Sequence, residues 1–179
     1  MKKISKNTMI LTVITLIAGI ALGFVYEITK DPIAKAQEAA KQEACREVFP
    51  DAETFEAVDP ENDTVDEVYL AMKGSEELGY VITVTNKEGY GGDIQVSVGI
   101  TNEGVVNGIA ILTINETAGL GMNATDPAFY GQYAGKQTTS FYVDKDGGTG
   151  EEINAISGAT ITSRAVTEAV NTALDYYLN

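Results

Sequence analysis

An uncharged run from Asn7 to Tyr26, preceded by Lys2, Lys3 and Lys6, does most to limit what this chain can fold into. As a helix at about 1.5 Å per residue, its apolar heart, Met9 to Val25, reaches roughly 25 Å, near the lower limit for crossing a hydrocarbon core of about 30 Å. Thr12 and Thr15 are tolerable there, because each hydroxyl can bond back to a carbonyl one turn earlier. The segment therefore reads as an anchor in the lipid bilayer. The basic start predicts that the lysines stay in the cytoplasm and that the remainder is exported. A cleaved signal peptide is the competing reading, since Gly19-Ile20-Ala21 offers small residues, Gly19 and Ala21, at plausible cleavage positions. Apolar character continues past that cut through Leu22, Phe24 and Val25, which favours a retained anchor. The expected layout is a single-pass protein of the cell inner (cytoplasmic) membrane. Residues 1–8 are its cytoplasmic N-terminus, 9–26 the anchor, 27–67 a helix and acidic connector, and 68–179 a folded domain on the extracytoplasmic side.

Composition closes several routes to function. The 179 residues suffice for one domain with a proper core plus an appendage. There is no His, which excludes Ser-His-Asp and Cys-His arrangements, His-ligated zinc and haem held through His. Cys45, the single cysteine, cannot form an intrachain disulfide or hold an iron–sulfur cluster alone, and reads as a small buried apolar residue. Electron transfer by this chain would need an organic cofactor. A net charge of -14 argues against nucleic acid, whose phosphates need Lys and Arg. The acidic stretch Asp51 to Glu67 fails as a calcium loop: counting from Asp59, the sharp-turn glycine is missing and Leu70 stands at the twelfth position. No metal site and no catalytic nucleophile–base pair is recognisable.

Along the chain, Asp31-Pro32 reads as an N-cap and first helical position, opening a helix over Ile33 to Phe49 that Pro50 ends. From Val68 the pattern turns to period two. Val68–Met72 and Tyr80–Val84 read as strands about the Gly74-Ser75 turn. Ile94, Val96, Val98 and Ile100 alternate with Gln95, Ser97 and Gly99, as in a half-buried strand. Thr101 to Gly104 supplies a turn, and Val105 to Ile114 returns as the second arm of a hairpin. Ile109 to Leu112 are apolar on both faces, which places that strand centrally, with Gly108 at a bulge or a close approach. A short helix is predicted around Asp126 to Tyr133 and a strand at Phe141 to Val143. Gly147 to Gly150 reads as a surface turn. The fold class is α+β: an N-terminal transmembrane helix, then a domain with an antiparallel sheet flanked by helices.

The last segment is amphipathic. Val166, Ala169, Val170, Ala173, Leu174 and Tyr177 recur at helical spacing. Ser157-Gly158-Ala159-Thr160-Ile161-Thr162-Ser163 stands just ahead of it, where unpaired N–H groups and the positive end of the helix dipole suit an anion. Gly158 and Ala159 leave the backbone approachable, while Ser157, Thr160 and Thr162 offer oxygens. Read for structure alone, the same residues cap the helix.

Three motifs in order carry a resemblance. Ser157 to Ser163 is similar to the flavinylation motif of the FMN-binding domain family. Gly89-Tyr90-Gly91-Gly92 and Glu116-Thr117-Ala118-Gly119-Leu120-Gly121 fit the same family. With the anchor added, the chain resembles the G-subunit family of Rnf-type electron-transport complexes. The family usually has Asp where Asn154 stands and Pro where Ala118 stands. The resemblance implies FMN joined covalently to Thr160 by a phosphoester, with Ser157, Gly158, Ala159 and Thr162 around the attachment point. It implies that Glu116, Thr117, Gly119, Leu120 and Gly121 form the loop against the flavin. Tyr90 stays open as a stacking residue, and Gly91 and Gly92 read as a tight entry to the next strand. The implied partners are the other membrane subunits of the complex and a flavin transferase that uses FAD. The role implied is electron relay in a ferredoxin:NAD oxidoreductase coupled to ion translocation, with no independent active site. Two alternatives stand beside it: the related flavoprotein subunit of the sodium-pumping NADH:quinone reductase, and a cofactor-free extracytoplasmic binding or scaffold domain.

Overall fold

The computed structural model describes the backbone of residues 2–179 and the side chains of residues 6–179. Met1 and the side chains of Lys2 and Lys3, on which the charge reading of the N-terminus draws, lie outside them. The chain divides into two compact units, one ending at Ala40 and the other spanning Lys41–Asn179.

Helix α1 runs Lys2–Val48 without interruption. Thr12 donates to the Thr8 carbonyl at 2.9 Å and Thr15 to the Leu11 carbonyl at 3.1 Å, so both hydroxyls are satisfied within the apolar stretch. This stretch is long and apolar enough to cross a membrane, and its side chains are exposed. The new helix expected at Asp31-Pro32 does not start there: Pro32 lies inside α1. An internal proline removes one backbone bond and costs about 3 kcal/mol. Runs of good helix formers on its C-terminal side, Ala34 to Ala40, carry the helix through.

The second unit is built on a six-stranded antiparallel sheet. Its strands are β1 (Thr54–Val58), β2 (Glu67–Lys73), β3 (Glu76–Asn86), β4 (Ile94–Thr101), β5 (Val105–Thr113) and β6 (Lys136–Gln137), side by side in that order. The acidic connector expected over residues 51–67 thus contributes an edge strand, β1, paired with β2 from Thr54↔Met72 to Val58↔Val68. Helix α2 (Pro127–Tyr130) follows the Asp126 N-cap, whose side chain accepts from the Ala128 N–H. A separate parallel pair, β7 (Phe141–Val143) and β8 (Glu151–Ile153), precedes α3 (Thr160–Leu178). β8 has no counterpart among the expected strands, since three residues give no usable periodicity.

Both faces of the sheet are covered. On one, Val166, Ala169, Val170, Ala173 and Leu174 of α3 pack on Ile82, Val84, Ile94, Val96, Val98 and Ile100. On the other, Ala44, Cys45, Val48 and Phe49 at the end of α1 pack on Ala71, Val81 and Ala110. This second cover corrects two expectations. β4 is buried on both faces, not half-buried: Gly99 lies under Val48 and Phe49, and Ser97 is buried with its Oγ hydrogen-bonded to Thr83 Oγ1 at 2.8 Å. β5 is apolar on both faces although it is not central: only Val105 and Val106 have a partner on its outer side, in the short β6. Of the two features anticipated at Gly108, the bulge occurs, one residue earlier, while a Cβ on Gly108 would make only ordinary contact at 4.0 Å with Val48 Cα. The β4–β5 register shifts at Asn107, and the Asn107 side-chain amide Nδ2 donates to the Val48 carbonyl at the end of α1.

Side chains tie the connections to α3. Asn171 accepts from the Phe141 N–H at 2.8 Å and donates to the Phe141 carbonyl at 2.9 Å. Arg164 forks onto both oxygens of Asp146 in the loop after β7. Hydrogen bonding from Arg164 holds the Asp146 carboxyl below its usual value of 3.8, and bonds from Lys145 and then the Ala155 N–H do the same for Asp144.

Two outcomes follow from this packing. A Cβ on Gly99 would sit 2.9 Å from Val48 Cβ and 3.2 Å from Phe49 Cε2, so Gly99→Ala should destabilise the detergent-solubilised chain by about 1–3 kcal/mol, read from denaturant unfolding. The lowered Asp144 and Asp146 values add stability that is present above pH 3.8 and lost as pH falls through them. Carboxyl NMR titration should therefore place both midpoints below 3.8 in the folded chain; ordinary midpoints would contradict the geometry.

Candidate functional site

The antiparallel pairing of β4 and β5 brings the start of one strand beside the end of the other, with Gln95 opposite Thr113. The Gly89–Gly92 and Glu116–Gly121 loops therefore meet at one end of the β4–β5 pair. Glu116 joins them: its Oε1 accepts from the Gly91 N–H at 3.2 Å. Close approach requires glycine at two points here. A Cβ on Gly91 would lie 2.0 Å from the Asn115 carbonyl oxygen. One on Gly121 would lie 2.6 Å from Thr162 Oγ1 and 2.7 Å from Glu116 Oε2. The first turn of α3 thus rests against the Glu116 loop, and Gly158 (φ +76°) brings the preceding turn under Leu120.

Between these elements lies a cleft of about 620 Å³, within the roughly 300–1,000 Å³ usual for cofactor sites. Glu116, Thr117, Leu120, Gly121, Gly158, Ala159, Thr160 and Thr162 all line it, joined by Tyr90 and Ile161. Ser157 and Gly119 sit in the adjoining turns and are not part of the lining. Tyr90, Leu120 and Ile161 are 72%, 43% and 47% exposed and stand together around the cleft as an apolar rim without cover. Ile161 is the lining residue that motif spacing does not single out. Its one sequence signal is an apolar side chain standing off the Val166–Leu174 stripe.

Thr160 is the first residue of α3, and no side chain caps the helix at Ala159. Helical bonding begins with the Ser163 N–H to the Ala159 carbonyl at 3.0 Å, so the N–H groups of Thr160, Ile161 and Thr162 precede the ladder. The capping role that the serine and threonines offered is not used. Among the described residues no Lys or Arg lines the cleft, and Glu116 brings a carboxylate into it. A phosphate there meets backbone N–H groups and hydroxyls rather than cations. The residues fit a flavin mononucleotide in size, in apolar rim and in donors at the helix start. Tyr176 and Tyr177 stand elsewhere, bonded to the Glu61 N–H and the Asn102 carbonyl.

The sequence matches the FMN-binding domain family over residues 89–175 and the RnfG N-terminal region over residues 1–48. It is 38% identical to the G subunit of the proton-translocating ferredoxin:NAD(+) oxidoreductase complex of Clostridium ljungdahlii, over 96% of this chain and 89% of that protein. The Na(+)-translocating counterpart of Acetobacterium woodii is 35% identical, over 99% and 93%. The G subunit of the ion-translocating oxidoreductase complex of Methanosarcina acetivorans is 33% identical, over 98% and 95%. A crystal structure of Shewanella oneidensis NqrC superposes with a TM-score of 0.49 at 23% identity, covering 70% of this chain and 67% of that one. With identity of 33% to 38% sustained along nearly the whole of each relative, the chain belongs to the G-subunit family of Rnf-type ion-translocating oxidoreductase complexes and carries that family's FMN-binding domain.

Proposed function

We propose that FMN is joined through its phosphate to Thr160 Oγ1 as a phosphoester, and that the chain relays electrons within a ferredoxin:NAD oxidoreductase coupled to ion translocation. The observation that carries this reading is the position of Thr160 at the open start of α3, in the wall of a cleft with an apolar rim. A phosphate on Thr160 meets the free N–H groups of the first turn, and Gly158 and Ala159 leave it room. Thr162 adds a hydroxyl beside it. Thr117 supplies a hydrogen-bonding hydroxyl for the ring, and Tyr90, Leu120 and Ile161 supply apolar area for its faces. Ser157 and Gly119 shape the two turns.

When bound, FMN supplies transfer of one or two electrons. The chain itself contributes no acid, base or nucleophile to a bulk substrate; it holds, orients and shields. Glu116 disfavours added negative charge nearby and so lowers the potential. In this reading the anchor lies at residues 9–26 and the folded part, residues 68–179, faces the extracytoplasmic side of the cytoplasmic membrane. The other membrane subunits of the complex are its partners, and a flavin transferase with FAD as donor loads it. A covalent link suits such a place, where a lost cofactor is not easily replaced.

Intact mass and in-gel flavin fluorescence of the chain co-expressed with a flavin transferase test the attachment. Wild type should gain one FMN and fluoresce after denaturation, and Thr160→Val should do neither. A colourless wild type beside a modified control would sink the reading in favour of a cofactor-free scaffold. In the loaded chain, Glu116→Gln should raise the midpoint potential by tens of millivolts, 30 mV being about 1.4 kcal/mol for a two-electron couple. An unchanged potential would remove Glu116 from that role.

A further inference from the structure

Three consecutive backbone N–H groups ahead of Thr160 are each held by a side chain from a different part of the fold. The Asn154 N–H donates to Gln132 Oε1 at 2.8 Å, the Ala155 N–H to Asp144 Oδ1 at 3.0 Å, and the Ile156 N–H to Ser163 Oγ at 3.0 Å. Gln132 follows α2, Asp144 follows β7, and Ser163 belongs to α3. Residues 154–156 lie between β8 and α3 in neither helix nor strand, so these amides have no ladder to join and rely on side-chain acceptors.

The grip extends on both sides. Gln132 Nε2 donates to the Asn154 carbonyl at 3.2 Å, and Asn154 Nδ2 donates to Gln132 Oε1 at 3.1 Å. Ser163, wholly buried, donates its own hydroxyl proton to the Ala159 carbonyl at 3.0 Å. The Ala159 N–H closes the turn onto the Ile156 carbonyl at 3.0 Å. One hydroxyl thus holds both ends of the turn from Ile156 to Ala159, and Thr160 is the next residue. A Cβ on Gly158 in that turn would touch Leu120 Cδ2 at 3.1 Å, so the position of the turn also sets the gap to the cleft wall.

We infer that Gln132, Asp144 and Ser163 are positioning residues, which fix the loop carrying Thr160 so that a group borne on its Oγ1 enters the cleft in one pose. The inference rests on the proposed attachment at Thr160. A flavin on a phosphate and ribityl tether has many rotatable bonds. Its ring is confined only if the tether's root and the receiving wall are both fixed, and a site of this kind is held by the shell behind it. The three acceptors are that shell for the root. None of them lines the cleft, so their effect passes through the backbone of residues 154–159.

The test uses the full chain co-expressed with a flavin transferase. Gln132→Ala, Asp144→Ala and Ser163→Ala remove the acceptors; Asp144→Asn keeps an oxygen in place. Intact mass counts the attached FMN. Visible circular dichroism per mole of flavin and flavin fluorescence anisotropy report the pose, which a purely structural role would not move. The alanine variants should lose half or more of the visible dichroism and show lower anisotropy, while Asp144→Asn keeps wild-type signals. Gln132 and Asp144 are only partly buried, so their variants carry the test if Ser163→Ala does not fold. Loaded alanine variants with wild-type dichroism and anisotropy would overturn the inference. A wild-type chain with no added FMN would instead overturn the attachment on which it rests.

Discussion

The sheet carries apolar side chains on both faces, and the end of α1 closes the face that α3 leaves open. Ala44, Cys45, Val48 and Phe49 do this over a floor of small residues: Ala71, Gly99 and Ala110. A helix end can sit that close only where the strands offer no bulk. Each large apolar side chain buried in this contact, as Val48, Phe49 and Val81 are, is worth about 1.5–3 kcal/mol. Asn107, at the register shift, donates its side-chain amide to the Val48 carbonyl that ends the helix. With the sheet sealed on that side, α3 commits its apolar stripe to the other, and its N-terminus lies by the strand ends where β4 begins and β5 stops.

The cleft follows from that arrangement. Antiparallel neighbours place two loops side by side, and Glu116 joins them by accepting from Gly91 while its second oxygen flanks Gly121. Thr162 of α3 meets the same glycine from the opposite direction. The result is a polar floor built from uncapped helix amides and hydroxyls, an apolar rim, and one carboxylate. Cations play no part in the lining among the described residues. An anion held there depends on fixed dipoles, and dipoles work only when their backbone does not move.

Much of this architecture is legible in the order of the amino acids. Period-two alternation locates β2, β3 and β4, turn chemistry locates the β4–β5 hairpin, and the 3.6-residue stripe locates α3. The failures share a cause: local patterns do not reveal what lies on the far side. Gly99 looks like a solvent-facing position until α1 is seen above it. β5 looks central because two covered faces leave the same apolar signature as a central place. Asp31-Pro32 has the chemistry of a helix start, yet its neighbours continue an existing helix. At the site, Thr160 and the Glu116 loop stand out as contiguous strings. Gln132 and Asp144 do not, because they reach the loop from 22 and 11 residues away.

Cys45 lies 2% exposed beneath the contact that seals the sheet. Its burial makes the chain's single thiol a built-in reporter of breathing. An alkylating reagent reaches the sulfur only when the end of α1 lifts from the strands, so the labelling rate follows the free energy of that opening. The same burial withholds the thiol from chance oxidative pairing between molecules. The residue with the most reactive side chain in the sequence is thereby chemically silent for as long as the fold is closed.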